Sequence, residues 1–474
     1  MKKVFSLFGV TFVAVCVFSS PIVWDGSSAN WKLGSGTETN PYLIESPQQL
    51  AFLSEMVSAG ISTYAGVYFQ QTNDFNLNNV AWTPIGITTT NFFAGHYDGN
   101  GKSIYNVNPS GKISFSGLFG CTNNVTIKNL TISQDKTAGF TSFNGDYKAS
   151  VIGYAMGETT VINCHNEASL SAIGVLYVGG LVGYSESSIT IDKCSNKGEI
   201  RSQFSAGGDN KSFLQQLYAG GIVGYTQKET IITDSHNEGD IIVSTFHQNT
   251  KDIISTQFDV ILGGICGHGT KVSANNCYNI GDVKNLATSS VYSGSAPTSR
   301  HQCCAGGLFG ETSGTTIMRC YNNASVAVEL LHSSDEDITS FSDRIFVGGI
   351  VGNAWSTTKI MYCYVRGDLS TYGPYAANPS NYNHIVSGIA SVTTRYITTK
   401  PEIANSYFCG EIKQLNTKVA RITESHAIAS EAKNVTNAYA NNTCKASNWT
   451  YGTSKTTTIM KSESFPISLN AGAN

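Results

Sequence analysis

Short apolar pairs set between glycines recur through the middle of the chain and predict its main strands. Each block has the form Gly-Gly-apolar-apolar-Gly, and the five copies occupy residues 179–183, 220–224, 263–267, 306–310 and 348–352. From one second glycine to the next, the steps are 41, 43, 43 and 42 residues. A fixed period in this range indicates stacked repeats, each of which buries its apolar face only against a neighbour.

A second block follows each glycine block after ten or eleven residues and contains Cys or Ser, followed two positions later by Asn in the first four of the five copies. The step between Cys164 and Cys194 shrinks to 30 residues, yet the link from glycine block to second block keeps its length. Losing this many residues would destroy half of a repeat that forms two coils. In a repeat that forms one coil, the same loss only shortens a loop. We therefore predict one β-solenoid coil per repeat.

Segments of variable length separate each second block from the next glycine block and predict excursions at residues 201–217, 243–260, 284–304 and 326–346. Two of them resemble protruding hairpins, with residues 240–243 facing 258–262. Because the excursions leave every coil at the same place, we expect them to lie side by side on one face.

The flanking regions predict caps. In the N-terminal region, 21–115, Ser46 and Pro47 open an apolar-periodic run that stops at Gly60, which is typical of a short helix. Residues 413–474 are interpreted as a small C-terminal cap, in which 424–432 has weak helical character. The repeats themselves are assigned to 116–412.

The composition and the N-terminal residues limit which partners the protein could bind and in which compartment it acts. Charged residues are 13% of the chain and the net charge is −3, with no Lys/Arg run that would favour nucleic acid. Lys2 and Lys3 precede an apolar run over 4–18, which predicts an export signal within 1–20. Lipidation of Cys16 is the alternative. No second apolar stretch is long enough to predict a transmembrane helix.

Twelve cysteines in an exported chain would ordinarily indicate disulfides. Here one repeat position accounts for five of them, because it is occupied by Cys164, Cys194, Ser235, Cys277, Cys320, Cys363 and Ser406. A position shared by Cys and Ser indicates a small-residue slot, so we expect free thiols. No Cys/His spacing predicts zinc.

These two blocks resemble the GLUG-motif repeat proteins of bacterial surfaces, over about residues 40–412. The residues that match are Gly-Gly-Leu-Val-Gly at 179–183 and Cys-Ser-Asn-Lys-Gly at 194–198. The resemblance implies an all-β fold, a right-handed parallel β-helix (β-solenoid), on an exported protein. It implies no single activity.

Three columns of the repeat are candidates for chemistry. Stacked asparagines 166, 196, 237, 279 and 322 are predicted to bond along the stack. Turn carboxylates at Glu199, Asp240 and Asp282 make calcium conceivable, although solvated turn residues are the simpler interpretation, and no cofactor is expected. The candidate ligand surface is the aromatic column His236, Tyr278, Tyr321, Tyr364 and Tyr407, whose direction the alternation leaves open.

The sequence therefore predicts a secreted or surface-displayed β-solenoid that binds a glycan or a host or surface protein. The alternatives are a structural spacer or coat component without a ligand, and a polysaccharide lyase or glycoside hydrolase. No catalytic residues are assigned, because the candidate carboxylates look alike and nothing separates their acidities.

Overall fold

The chain winds into a parallel β-helix in the computed structural model. The structure describes residues 20–109, 114–135, 141–143, 146–174, 176–206, 212–248, 255–290, 298–332, 341–372, 383–392, 400–414, 424–430, 432–441, 443–447, 451 and 453–455. The predicted export signal, Cys16 and the last residues of the predicted C-terminal cap lie outside these ranges.

In the repeat region each coil visits four sheets in the same order, which the coil after Gly220 illustrates. Val223–Thr226 belongs to sheet 1, Thr230–Thr233 and His236–Asn237 to sheet 2, Ile241–Gln248 to sheet 3, and Ser255–Gly263 to sheet 4. The next glycine block then returns the chain to sheet 1. All the strands within these sheets pair in parallel with the equivalent strands of neighbouring coils.

The strand bounds follow this order. Sheet 1 contains Phe119–Thr122, Ile152–Ala155, Val182–Ser185, Val223–Thr226, Cys266–Thr270, Phe309–Ser313 and Val351–Trp355. Sheet 2 contains Ile22–Val23, Tyr42–Ile44, Tyr68–Gln71, Phe75–Asn76, His96–Tyr105, Val125–Ser133, Thr159–Ile162, His165–Asn166, Ile189–Asp192, Ser195–Asn196, Thr230–Thr233, His236–Asn237, Val272–Asn275, Tyr278–Asn279, Thr316–Met318, Tyr321–Asn322, Lys359–Met361, Tyr364–Val365, Glu402–Ala404, Tyr407–Phe408, Asn434–Thr436, Tyr439–Asn441 and Thr453–Lys455.

Sheet 3 contains Thr141–Phe143, Leu170–Ile173, Ile200–Ala206, Ile241–Gln248, Val283–Ser290, Val326–His332, Leu369–Tyr372 and Ile412–Gln414. Sheet 4 contains Phe115–Ser116, Tyr147–Lys148, Tyr177–Gly179, Ser212–Gly220, Ser255–Gly263, Thr298–Gly306, Phe341–Gly348, Asn383–Ser387 and Glu424–His426. A separate pair joins Ala81–Trp82 to Asn108–Pro109.

The register confirms one coil per repeat. Val182 pairs directly with Val223, and Val223 pairs with Cys266, so consecutive glycine blocks lie on adjacent coils. The excursions also stack in register, but they are not hairpins. Their two strands lie in sheets 3 and 4, which pack face to face through contacts such as Phe204 against Phe258, whose ring centroids are 5.8 Å apart. The tips at 207–211, 249–254, 291–297 and 333–340 lie outside the described residues.

The flanks are built into the same stack. The predicted helix is confirmed as Pro47–Ser58, and the Ser46 hydroxyl accepts a hydrogen bond from the Gln49 amide at its start. The helical character expected at 424–432 is wrong, because Glu424–His426 is a strand that pairs with Asn383–Ser387. Pairing with the preceding coil outweighs a weak local preference there.

Close backbone approach explains the glycine block. A methyl group on Gly220 would lie 1.9 Å from the carbonyl oxygen of Val223, and one on Gly221 would lie 2.1 Å from that of Gly264. On Gly224 it would lie 2.5 Å from the oxygen of Gly183 and 2.8 Å from that of Val178, which belongs to sheet 4. The block therefore lets sheets 4 and 1 meet at a tight corner, which we call the glycine corner.

The buried asparagine ladder is confirmed and packs against this corner. The side-chain nitrogen of Asn196 donates to the side-chain oxygen of Asn237 at 2.7 Å and to the carbonyl of Gly198 at 2.9 Å. The same pair of bonds is made by Asn166, Asn237 and Asn279. Gly221 lies against Asn237, since a methyl group there would be 2.4 Å from its Cγ. The second glycine of each of the first four blocks therefore leaves the space that the asparagine side chain occupies.

The Cys/Ser column is a hydrogen-bonding position. The amide of Cys194 donates to the hydroxyl of Ser235 at 3.0 Å, and the amide of Cys277 donates to the thiol of Cys320 at 3.4 Å. The thiol and the hydroxyl accept the same backbone hydrogen bond, which explains why both Cys and Ser occupy this position of the repeat. None of the described cysteines forms a disulfide and all of them are buried, as expected from the sequence.

One left-handed residue precedes each of these positions. Lys193, Asp234, Asn276, Arg319 and Tyr362 have φ between 49° and 56°. This conformation is unfavourable for residues with a side chain, and it turns the chain between the two sheet 2 strands. The turn resets the inward–outward alternation, so that Asn faces the interior and its preceding neighbour faces outward.

We expect Asn237→Ala to destabilise the protein by about 1–3 kcal/mol, because the side-chain amide of Asn196 loses its acceptor in a buried position. Asn323→Ala is the matched control, since Asn323 is exposed in the same turn of another coil. Urea denaturation followed by circular dichroism measures both. Equal midpoints for the two variants would contradict a stabilising role for the ladder.

Candidate binding surfaces

The predicted aromatic column faces outward on sheet 2, and its rings form a continuous stack. The ring centroids of His236 and Tyr278 are 4.5 Å apart, and those of Tyr278, Tyr321, Tyr364 and Tyr407 follow at 4.9, 4.7 and 5.3 Å. Adjacent rings are within 9° of parallel. Tyr407 is only 1% exposed, whereas the others are partly exposed.

This stacking limits what the column offers to a ligand. An offset stack covers both faces of each interior ring and leaves its edge and hydroxyl to the surroundings. Arg366 also lies over Tyr364, 5.3 Å from the ring centroid. The column is thus suited to edge and hydroxyl contacts rather than to stacking on a sugar ring.

The glycine corner holds a second aromatic group. Tyr147, Tyr177 and Tyr218 stack on the outer face of sheet 4, with centroids 5.0 and 5.4 Å apart. On the outer face of sheet 1, Tyr154, Tyr184 and Tyr225 stack at 5.2 Å intervals. Within each coil the two rows meet edge to face, as in the 4.9 Å contact of Tyr177 with Tyr184. We call these six residues the corner tyrosines.

Five of the six hydroxyls of the corner tyrosines are unpaired among the described residues. Tyr154 donates to Glu186 Oε2 at 2.6 Å. Among the described residues the other five hydroxyls have no hydrogen-bond partner, and none is a buried oxygen. Burial raises the pKa of Tyr177 to about 12 and also raises the pKa of Tyr184 and Tyr218. The hydroxyls are therefore neutral donors and acceptors in two rows.

The corner tyrosines are not among the residues predicted from the sequence, although the sequence contains a signal for them. Two consecutive glycine blocks are flanked by tyrosines, as Tyr177 with Tyr184 and Tyr218 with Tyr225. The flanking positions are seven residues apart in the chain. They become neighbours only because the glycine corner brings the outer faces of two sheets together.

Later coils fill the same corner differently. The sheet 4 row continues as Ile261, Cys304, Phe346 and Ile385, and the sheet 1 row continues as His268, Glu311 and Asn353. Glu311 is 7% exposed and accepts hydrogen bonds from Asn353 and Trp355, with His268 Nδ1 3.2 Å away. Burial raises the pKa of the Cys304 thiol well above its usual range, so it is a neutral side chain.

The turn carboxylates are engaged by the protein itself. Asp240 accepts a hydrogen bond from the amide of Asp282 at 2.8 Å, and Asp282 is 2.7 Å from the amine of Lys284. Glu199 pairs with Arg201 in the same way, two residues along the chain. These cations offset the charges of Asp282 and Glu199. Within the described ranges, no group of three or more His, Cys, Asp or Glu side chains could hold a metal ion.

No family model matches the chain. Over 135 residues it is 30% identical to a protein of Evansella cellulosilytica provisionally described as a Gly-rich membrane protein. That match covers 27% of this chain and 14% of the other protein's length. A crystal structure provisionally described as an immunoglobulin A1 protease from Bacteroides ovatus aligns over 93% of this chain and 91% of its own, with 14% identity and a TM-score of 0.39. No helix in the described part of this chain is long and apolar enough to cross a membrane.

Stability should fall at high pH through the aromatic column. Burial raises the pKa of Tyr321 to about 12, above its usual 10.0. Its neutral form is favoured by folding, so this contribution is complete below pH 10 and is lost as the pH rises towards 12. We expect the urea midpoint to fall over this interval, and Tyr321→Phe to make the fall shallower.

The same two proteins compared between pH 7 and 9 provide the control, because Tyr321 is protonated in both folded and unfolded states there. Identical pH dependences of wild type and Tyr321→Phe between pH 10 and 12 would contradict the burial of this phenol.

Proposed function

We propose that the protein is an exported, surface-displayed β-solenoid of the GLUG-motif class that binds an extended glycan along the glycine corner. The repeated blocks support the class, and the membrane-protein description of the Evansella cellulosilytica protein is in keeping with a location at the cell surface. The corner tyrosines are the proposed contact surface.

The observation that supports this proposal is the presence of tyrosine where the fold does not need it. Ile261 and Cys304 close the corner in later coils and are 2% and 0% exposed. A tyrosine at these positions adds a hydroxyl without being required for packing. Six tyrosines concentrated in neighbouring coils therefore point to a role at the surface.

The geometry of these hydroxyls favours a polymer. They repeat at the spacing of the coils, about 4.8 Å, in two rows that meet at a concave angle. A chain lying along the corner would meet the same chemistry at each step, and several weak contacts would add together. Uncharged phenols match sugar hydroxyls, each of which donates and accepts hydrogen bonds. The low share of charged residues, 13%, also favours an uncharged ligand.

The test compares two sets of hydroxyl deletions on a glycan array. The corner variant is Tyr177→Phe/Tyr184→Phe/Tyr225→Phe, and the control is Tyr278→Phe/Tyr321→Phe/Tyr364→Phe. Both keep every ring and therefore the stacking. At about 0.5–1.5 kcal/mol for each lost hydrogen bond, the corner variant should lose about tenfold or more in affinity, and the control should bind like wild type.

Loss of binding in the control but not in the corner variant would move the site to the aromatic column of sheet 2. If folded wild type bound a matrix protein but no glycan, the ligand would be a protein. If it bound neither, the structural spacer would replace the proposal.

A further inference from the structure

A cavity of about 180 Å³ opens on the outer face of sheet 2, near its N-terminal end. Its floor is formed by side chains that neighbouring strands place side by side. Tyr68 lies opposite His96, and Asp98 lies opposite Lys128. Glu38 also lines the cavity. Drug-sized pockets usually occupy about 300–1,000 Å³, so this one suits a single small ring.

His96 is the least satisfied group in the cavity. Its Nδ1 is buried, and neither ring nitrogen has a hydrogen-bond partner among the described residues. Burial lowers the pKa of this imidazole, which favours the neutral form. Buried polar atoms are nearly always hydrogen-bonded in native proteins, and Nε2, which is unpartnered among the described residues but not buried, is the ring nitrogen that a ligand in the cavity can reach. The Tyr68 ring lies against it, with centroids 4.5 Å apart.

Asp98 and Lys128, the second pair of side chains on the cavity floor, offer a ligand both an acceptor and a donor. Asp98 Oδ1 accepts hydrogen bonds from the Asn100 amide at 2.8 Å and from the Asn129 side chain at 3.0 Å. Among the residues that the structure describes, its Oδ2 faces only the amine of Lys128, at 3.5 Å, which is a loose contact. A ligand hydroxyl could therefore donate to Asp98 and accept from Lys128 at the same time.

We propose that this cavity binds one neutral pyranose unit through His96, Asp98 and Lys128. Adjacent sugar hydroxyls are both donors and acceptors, which matches a carboxylate next to an amine. Two carboxylates and one amine give the lining no excess positive charge that would favour an anion. The site lies on sheet 2, away from the glycine corner, so it extends beyond the proposed function and can fail independently of it.

Saturation-transfer NMR of the full chain with glucose, galactose, mannose and N-acetylglucosamine tests the site. His96→Phe keeps a ring against Tyr68 but removes both nitrogens, and Lys128→Ala removes the donor. Each should weaken binding of the preferred sugar about tenfold, as expected for a hydrogen bond to a charged or buried group. Lys197→Ala is the matched control, because Lys197 is as exposed as Lys128 and is also loosely paired, 3.9 Å from Glu167.

Unchanged binding in Lys128→Ala would overturn the proposal even if His96→Phe failed to fold. It would also be overturned if no sugar bound to wild type at millimolar concentration, or if inorganic phosphate displaced the sugar and bound more tightly. Oligosaccharides ending in the preferred sugar would distinguish a glycan terminus from a free monosaccharide. The corner variant should bind the monosaccharide normally, which separates this test from that of the proposed function.

Discussion

The contact of backbone with backbone at the glycine corner is the constraint on which the rest of the structure depends. Each of the three glycines in a block approaches a carbonyl oxygen so closely that one added carbon would overlap it. None of the repeated glycines has a left-handed φ, so the requirement is for space rather than for backbone freedom. The tight corner in turn places the asparagine ladder against the second glycine, and the ladder fixes the spacing of successive coils.

With the coils held by these inner columns, the outer columns can vary. The corner rows change from tyrosine to isoleucine, cysteine, histidine and glutamate without a change in register. Sheets 3 and 4 likewise lengthen or shorten from coil to coil. A scaffold of this kind separates folding from recognition, because outward side chains are free to follow a ligand.

Much of the fold follows from spacing alone. The constant link between blocks predicted one coil per repeat, the Cys/Ser exchange predicted a shared buried slot, and Ser46 with Gly60 predicted the helix. The direction of the tyrosine column could not be predicted, because a left-handed residue such as Lys193 breaks the strand alternation on which such an inference rests. The corner tyrosines and the cavity at His96 each combine residues from different strands. Their proximity depends on the angle between two sheets or on the register of paired strands, and the spacing of motifs along the sequence specifies neither.

Hydrogen exchange of Gly221→Ala tests this account most directly. The added methyl group would overlap Gly264 and Asn237, so we expect protection to be lost in the strands of that coil and the next, Thr230–Thr233 and Val272–Asn275. His96–Tyr105, several coils away, should keep its protection. Gly174→Ala is the control, because Gly174 has a left-handed φ of 69° but no atom within 4 Å of the added carbon. If Gly221→Ala lost no more protection than Gly174→Ala, the close approach at the corner would not be what holds the coils together.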